Sequence, residues 1–278
     1  MSGESGPRGR SREPDAGAPA APAAGTAGTA GRDPALVTEN SARQAIVDCC
    51  LKMAALGLNT GRAGNVSLRW HRGGPLGAGM LVTPAATPYE SMSAEDVVWM
   101  PLAASDEAAA RGATTRPEAE PATAPATPPA RRPSSEWRMH RDVYAARPEA
   151  GAIVHVHSPA ATALACLPRV QRDGIPAFHY MVAVAGGADI RCAPYRSFGT
   201  AELSQAALEA LRERRACLLA NHGTVAFGPT LAAALELSNE VESLARMYAT
   251  ALQLGEPAIL GDDEIAQVLQ RFADYRRQ

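Results

Sequence analysis

The order of patterned segments along the chain predicts an α/β protein. Three observations carry that class. Segments with apolar residues at helical spacing alternate with short apolar runs along the chain. Ile153-Val154-His155-Val156-His157 is a β-branched run that reads as a strand, and Ala216 to Ala220 is a second, continuously apolar one. Leu231, Leu235, Leu244, Tyr248 and Leu252 mark a long helix ending at Gly255. No internal repeat interrupts this order.

With 278 residues the chain can hold one large domain or two small ones and bury a sizeable core. Its hydrophobic content of 46% and formal net charge of −2 are ordinary for a globular protein. That charge offers no electrostatic reason to expect nucleic acid or an anionic membrane as partner. No apolar run reaches the roughly 18 residues that a spanning helix needs. The five cysteines are scattered, odd in number and free of any Cys-x-x-Cys pair. They read as reduced thiols of a cytoplasmic protein, not as a disulfide framework or a cysteine zinc site. Residues 1–36 are dominated by Ala, Gly, Pro, Ser and Arg, and this composition predicts a disordered tail.

The first helix is expected to start near Thr38 or Ser41, with Ser41 and Gln44 placed as a capping box. Ala42, Ile46, Cys49, Cys50 and Met53 form its apolar stripe, and Gly57 can cap its end. A glycine loop, Gly61 to Gly64, then leads into a strand with Val66, Leu68 and Trp70 alternating. Backbone N–H groups in such a loop, with Asn65 beside them, suit an anion such as phosphate. Gly73 to Gly79 reads as a hairpin connection and Met80 to Thr83 as the returning strand. Val97 to Met100 reads as another strand. Ala, Pro, Thr, Glu and Arg dominate 103–132, a low-complexity insertion expected to be a disordered surface loop. Ser134 or Ser135 should cap a helix carrying Trp137, His140 and Tyr144. Ser158 to Leu167 and Thr200 to Arg214 read as helices, and Thr224 to Phe227 as a strand. Asp262 should cap a last helix with Ile265, Val268, Leu269 and Phe272 inward.

Side-chain alternation puts His155 and His157 on one strand face, side by side. His222 follows a buried strand and precedes a glycine, where a side chain can point into a cleft. Each histidine alone is as well explained by a structural hydrogen bond. Together they make a three-imidazole set of the kind that holds zinc and leaves positions for a substrate. Glu136 either complements a helix dipole or serves as a general base beside that metal. Ser134 and Ser135 are divided in the same way between caps and phosphate contacts. His140 and His179 read as structural or surface residues, and Tyr180 and Tyr275 as packing aromatics.

Taken together, several motifs resemble the class II aldolase/adducin family. They are Gly64-Asn65-Val66-Ser67-Leu68-Arg69, Pro133-Ser134-Ser135-Glu136-Trp137, Val154-His155-Val156-His157, His179-Tyr180-Met181, Cys192-Ala193-Pro194-Tyr195, Phe198-Gly199-Thr200 and His222-Gly223. The resemblance implies one three-layer α/β/α domain over 37–278, built around a central, mostly antiparallel sheet. It also implies assembly as a homotetramer with sites between subunits. By position, it makes His155, His157, His222 and Glu136 the Zn²⁺ ligands and Glu136 the catalytic acid/base. Gly64, Asn65, Ser134 and Ser135 become phosphate contacts. Tyr180 becomes the residue that protonates the aldehyde oxygen across a subunit interface, and Tyr275 a tail residue that closes the site.

The implied reaction is reversible cleavage of a ketose 1-phosphate, L-fuculose 1-phosphate foremost, to dihydroxyacetone phosphate and L-lactaldehyde. Other family activities on phosphorylated sugars (4-epimerase, dehydratase, decarboxylase) and a non-catalytic adducin-like module are the alternatives. The family's Thr-Pro-Thr-Gly stretch is Thr83-Pro84-Ala85-Ala86 here. Ala85 lacks the phosphate-facing hydroxyl, and Ala86 replaces a glycine, at a strain of roughly 1–2 kcal/mol if its φ is positive.

Overall fold

The computed structural model describes residues 38–59, 61–72, 77–103 and 131–275. The N-terminal tail and nearly all of the 103–132 insertion lie outside that range, as does part of the hairpin connection at 73–76. The strands are β1 (Asn65–His71), β2 (Ala78–Val82), β3 (Val98–Pro101), β4 (Ala152–Val156), β5 (Ile175–Pro176), β6 (Asp189–Ile190), β7 (Cys192–Ala193), β8 (Ala216–Leu219) and β9 (Gly223–Gly228). The helices are α1 (Glu39–Ala55), α2 (Trp137–Ala146), α3 (Pro159–Ala165), α4 (Pro168–Asp173), α5 (Ala201–Ala210), α6 (Leu231–Leu254) and α7 (Asp262–Tyr275). Seven strands form one sheet in the order β3-β2-β1-β4-β9-β8-β7, and β5 and β6 pair apart from it. Only β7 and β8 run parallel, so the mixed sheet is mostly antiparallel as expected.

Alternation along the strands divides the core. Val66, Leu68 and Trp70 of β1 join Val154 and Val156 of β4 under α1 and the start of α6. Ile153, Val225 and Phe227 face the other way, onto α2 and α5. Farther along the first face, Leu218 and Ala226 pack against α3 and α6. Helices thus cover both faces. All five cysteines are free; Cys49, Cys50 and Cys217 are buried and pack as small apolar groups, and burial pushes Cys49 up to about 12. Among the described residues no helix is long and apolar enough to cross a membrane.

Four local expectations are corrected. The capping box is Thr38 with Ser41, each side chain accepting the other's backbone N–H at 3.1 Å. Gln44 instead donates to Asp48. Starting at Thr38 places Glu39 in the first turn, where it pairs with Arg43 and Arg72. Neither Ser134 nor Ser135 caps α2. Pro133 is bridged to Pro84 and Ser134 N–H donates to the Thr83 carbonyl, so Glu136 takes the N-cap position. The helix from Thr200 stops at Ala210 and not at Arg214, because Arg214 turns inward to pair with Asp189 at 2.7 Å. Asp262 lies inside the first turn of α7, while the Gly261 carbonyl accepts Ile265 N–H.

Candidate active site

Glu136, His155, His157 and His222 meet at one end of the sheet, and one ligand atom from each lies within 4.8 Å of the others. Each has a local reason to be there. On β4, Val154 and Val156 go to the α1 side, and His155 goes opposite, toward Glu136. His157 follows the strand end, where Asn59 Oδ1 accepts its backbone N–H at 2.7 Å. His222 occupies the turn between β8 and β9, its N–H donating to the Leu219 carbonyl. Asn221 before it takes φ 54°, a conformation asparagine tolerates. Gly223 after it must be small, since a Cβ would meet the Val156 oxygen at 2.3 Å. Gly64 has the same constraint: φ is 74° and a Cβ would lie 2.5 Å from the His155 oxygen.

The donor set fits a metal ion. His155 Nδ1–H donates to the Thr224 carbonyl at 2.8 Å, which leaves the lone pair on Nε2. That Nε2 faces Glu136 Oε2 at 3.0 Å and His157 Nε2 at 3.1 Å. Glu136 Oε1 lies 3.4 Å from His222 Nε2 and, although buried, has no hydrogen-bond partner. Acceptors converging at these distances repel unless a cation sits among them. Two nitrogens held about 2.0–2.1 Å from one tetrahedral ion are ~3.3 Å apart, close to the 3.1 Å found. The three rings stand edge-on to one another, with centroids 4.8 to 4.9 Å apart.

The electrostatics set two of the rings apart from the third. Burial, reinforced by His155, pushes His157 and His222 down to about 4, so both rings are neutral at pH 7, the form a metal ion requires. Burial disfavours charge at His155 as well, but the Glu136 carboxylate and the Thr224 carbonyl outweigh it and raise its pKa. Burial would raise Glu136, yet His155, His222 and the Asn65 amide hold its carboxyl well below the usual range.

A cavity of about 540 Å³ opens onto Glu136, His157 and His222. Gly64, Asn65, Ala85, Ala86, Ser134 and Ser135 line it, so the expected anion contacts share one space with the metal set. Within it, Asn65 directs its amide to Glu136 Oε2 at 3.1 Å, and Ser134 Oγ accepts Glu136 N–H at 3.3 Å. Ala86 has φ 54°, so the strain anticipated for a non-glycine residue is present.

The structure adds Arg62, Tyr195, Arg196, Phe198 and Asn221 to the lining. Arg62 donates to the Ala86 carbonyl at 3.2 Å and brings a guanidinium to the wall where the Ala85 hydroxyl is missing. A basic residue inside the glycine loop was the available signal for it; Arg196 offered none. Tyr180 and Tyr275 are not brought to the cavity of their own chain. Tyr180 is 49% exposed on a short 3-10 helix, and Tyr275 is 80% exposed at the end of α7.

This combination of a mixed sheet between helices and a carboxylate–imidazole centre beside a polar cavity defines a metal-site enzyme architecture. The family model described as Class II Aldolase and Adducin N-terminal domain matches residues 44–249. A Rhodospirillum rubrum protein named 5-methylthioribulose-1-phosphate/5-deoxyribulose-1-phosphate aldolase is 45% identical over 233 residues, 84% of this chain and 91% of that protein. An Escherichia coli L-fuculose phosphate aldolase is 41% identical over 237 residues, 85% of this chain and 96% of that protein. A solved L-fuculose 1-phosphate aldolase superposes with a TM-score of 0.68 at 33% identity, covering 83% of this chain and 95% of its own. The chain belongs to the class II aldolase and adducin family. Within it, the chain is an aldolase, a carbon–carbon lyase with the class II aldolase fold.

Proposed function

We propose that this chain is a zinc-dependent aldolase that splits a ketose 1-phosphate between C3 and C4, giving dihydroxyacetone phosphate and an aldehyde. The observation that carries this reading is the buried Glu136 Oε1, without a hydrogen bond among three imidazoles, in a residue that lines the cavity. His155, His157 and His222, with Glu136, would hold the ion, and imidazole donors favour zinc. Bound zinc supplies Lewis-acid stabilisation of the negative charge that develops on the ketose oxygens during cleavage.

The protein's own groups supply the rest. In cleavage the C3–C4 electron pair stays with the dihydroxyacetone half, and Glu136 delivers a proton to C3. In synthesis Glu136 removes that proton. Ser134, Ser135 and the Gly64–Asn65 backbone receive the phosphate, with Arg62 offsetting the hydroxyl absent at Ala85. Tyr180, exposed on its own chain, serves the aldehyde oxygen of a neighbouring subunit in a homotetramer, and Tyr275 closes that site. Mixing and reassembling two inactive variants, Glu136→Gln and Tyr180→Phe, should then restore activity. No regain on mixing would remove Tyr180 from the neighbour's site.

Two substrates fit one centre because they share C1 to C3. L-Fuculose 1-phosphate would yield L-lactaldehyde, and a 5-deoxypentulose 1-phosphate would yield acetaldehyde, or (methylthio)acetaldehyde where C5 carries a methylthio group. Relatives named for each support both, and L-fuculose 1-phosphate is the substrate put first. The deciding assay loads the protein with zinc and measures dihydroxyacetone phosphate release from each sugar. The proposal expects release from at least one, with kcat/KM ranking them. Silence on both, with zinc bound, would overturn it.

A further inference from the structure

Behind Glu136 lies a line of buried polar side chains that the reaction as described does not use. Asn65 Nδ2 meets Glu136 Oε2 at 3.1 Å, and Asn65 Oδ1 engages His140 Nε2. His140 Nδ1 lies 2.7 Å from Ser67 Oγ, and Ser67 Oγ lies 2.8 Å from Tyr144 Oη. Ser67, His140 and Tyr144 are fully or almost fully buried. The register of β1 and the turns of α2 build this line, since Ser67 and Asn65 point from β1 toward α2, and His140 and Tyr144 are one turn apart on it.

The polarity of the line follows from its carboxylate end. A carboxylate only accepts, so Asn65 must turn its NH₂ to Glu136 and its carbonyl to His140. That carbonyl also only accepts, so His140 carries its proton on Nε2. Burial pushes His140 down to about 3, so the ring is neutral and Nδ1 is bare. Ser67 therefore donates to Nδ1, and Tyr144 donates to Ser67. Every proton points toward Glu136, and the line has one satisfied arrangement.

We propose that Ser67, His140 and Tyr144 are positioning residues whose one-way hydrogen bonds, relayed by Asn65, fix Glu136 Oε2 and leave Oε1 as the oxygen that moves the proton. This rests on the reading of Glu136 as the proton-transfer group. The two carboxylate oxygens then divide their work: Oε2 is tied from behind, and the buried Oε1, which takes no hydrogen bond, is left to act. Substituting Ser67, His140 or Tyr144 frees Glu136 to rotate without touching substrate or metal ligand.

The test has two arms. In wild-type protein with ¹⁵N-labelled histidine, NMR should show His140 neutral with its proton on Nε2, its signals identified by their loss in His140→Gln. For turnover, His140→Leu should keep its bound zinc but lose about 10- to 100-fold in kcat, with KM changed by less than about threefold. His140→Gln should recover part of that loss, because its amide can donate to Asn65 Oδ1, and Ser67→Ala should lie between. A purely structural role would lower stability in both His140 variants and leave kcat per folded molecule unchanged. A wild-type His140 protonated on Nδ1, or His140→Leu turning over like wild type, would overturn the proposal. Should His140→Leu fail to fold, the wild-type tautomer and Ser67→Ala decide. Should wild type cleave no ketose 1-phosphate, the proposed function fails, while the tautomer still decides the relay.

Discussion

At the scale of single residues the centre depends on one carboxylate kept charged inside the protein. Three imidazoles remain to hold the ion when that charge is removed, so Glu136→Gln is expected to keep near-wild-type metal content and lose ~10²–10⁴-fold in kcat. Metal analysis beside steady-state kinetics checks both, and unchanged turnover would take Glu136 out of the reaction. These four residues were legible in the sequence because each obeys a short-range rule. His155 and His157 follow strand alternation, His222 follows a strand end before glycine, and Glu136 follows two small polar residues at a helix start. The relay behind them was not legible, because Ser67 and His140 are 73 residues apart and meet only through packing of α2 on β1. The tyrosine roles came from family resemblance alone.

At the scale of elements, helical and strand periodicity located most of the long segments, and the misses share a cause. Thr38 and Ser41 are both plausible helix starts, only Ser41 with a capping-box signature, and tertiary partners chose Thr38. Glu39, which only the Thr38 start places in the first turn, accepts from Arg43 at 2.7 Å and pairs with Arg72 just beyond β1. The Arg72 hydrogen bond is the largest influence on its carboxyl, which is held at about 2 against a usual 4.5. A depressed carboxyl contributes stability that is complete above the unfolded pKa and is lost as pH falls through the folded one. Glu39→Gln should therefore destabilise the protein most at pH 7, with the gap to wild type closing as pH falls from about 5 toward 2. Because Glu39 is partly exposed, about 1 M salt should also narrow the gap. Urea unfolding at several pH values measures it, and a gap independent of pH would contradict the pairing. The short strands β5, β6 and β7 are two residues each, too brief for any periodic signal.

At the scale of the whole molecule, the sheet brings β1, β4 and the β8–β9 turn to one end, so the centre ties together segments far apart in sequence. An ion bound there links them, and it stabilises only the folded chain. Metal held at ~100 times its Kd should add about 2.7 kcal/mol to unfolding. A chelator should remove that increment together with activity, and urea midpoints that ignore the chelator would contradict a metal at this site. The central claim is that Glu136, with the three histidines, forms a proton-transfer centre for the dihydroxyacetone half of the substrate. Its most direct test needs no aldehyde: zinc-loaded protein and dihydroxyacetone phosphate are mixed in D₂O, and hydrogen exchange at C3 is followed by NMR. The account predicts exchange of one C3 hydrogen by wild type, and none above background by Glu136→Gln or by chelated protein. Equal exchange by Glu136→Gln, or none by zinc-loaded wild type, would contradict it.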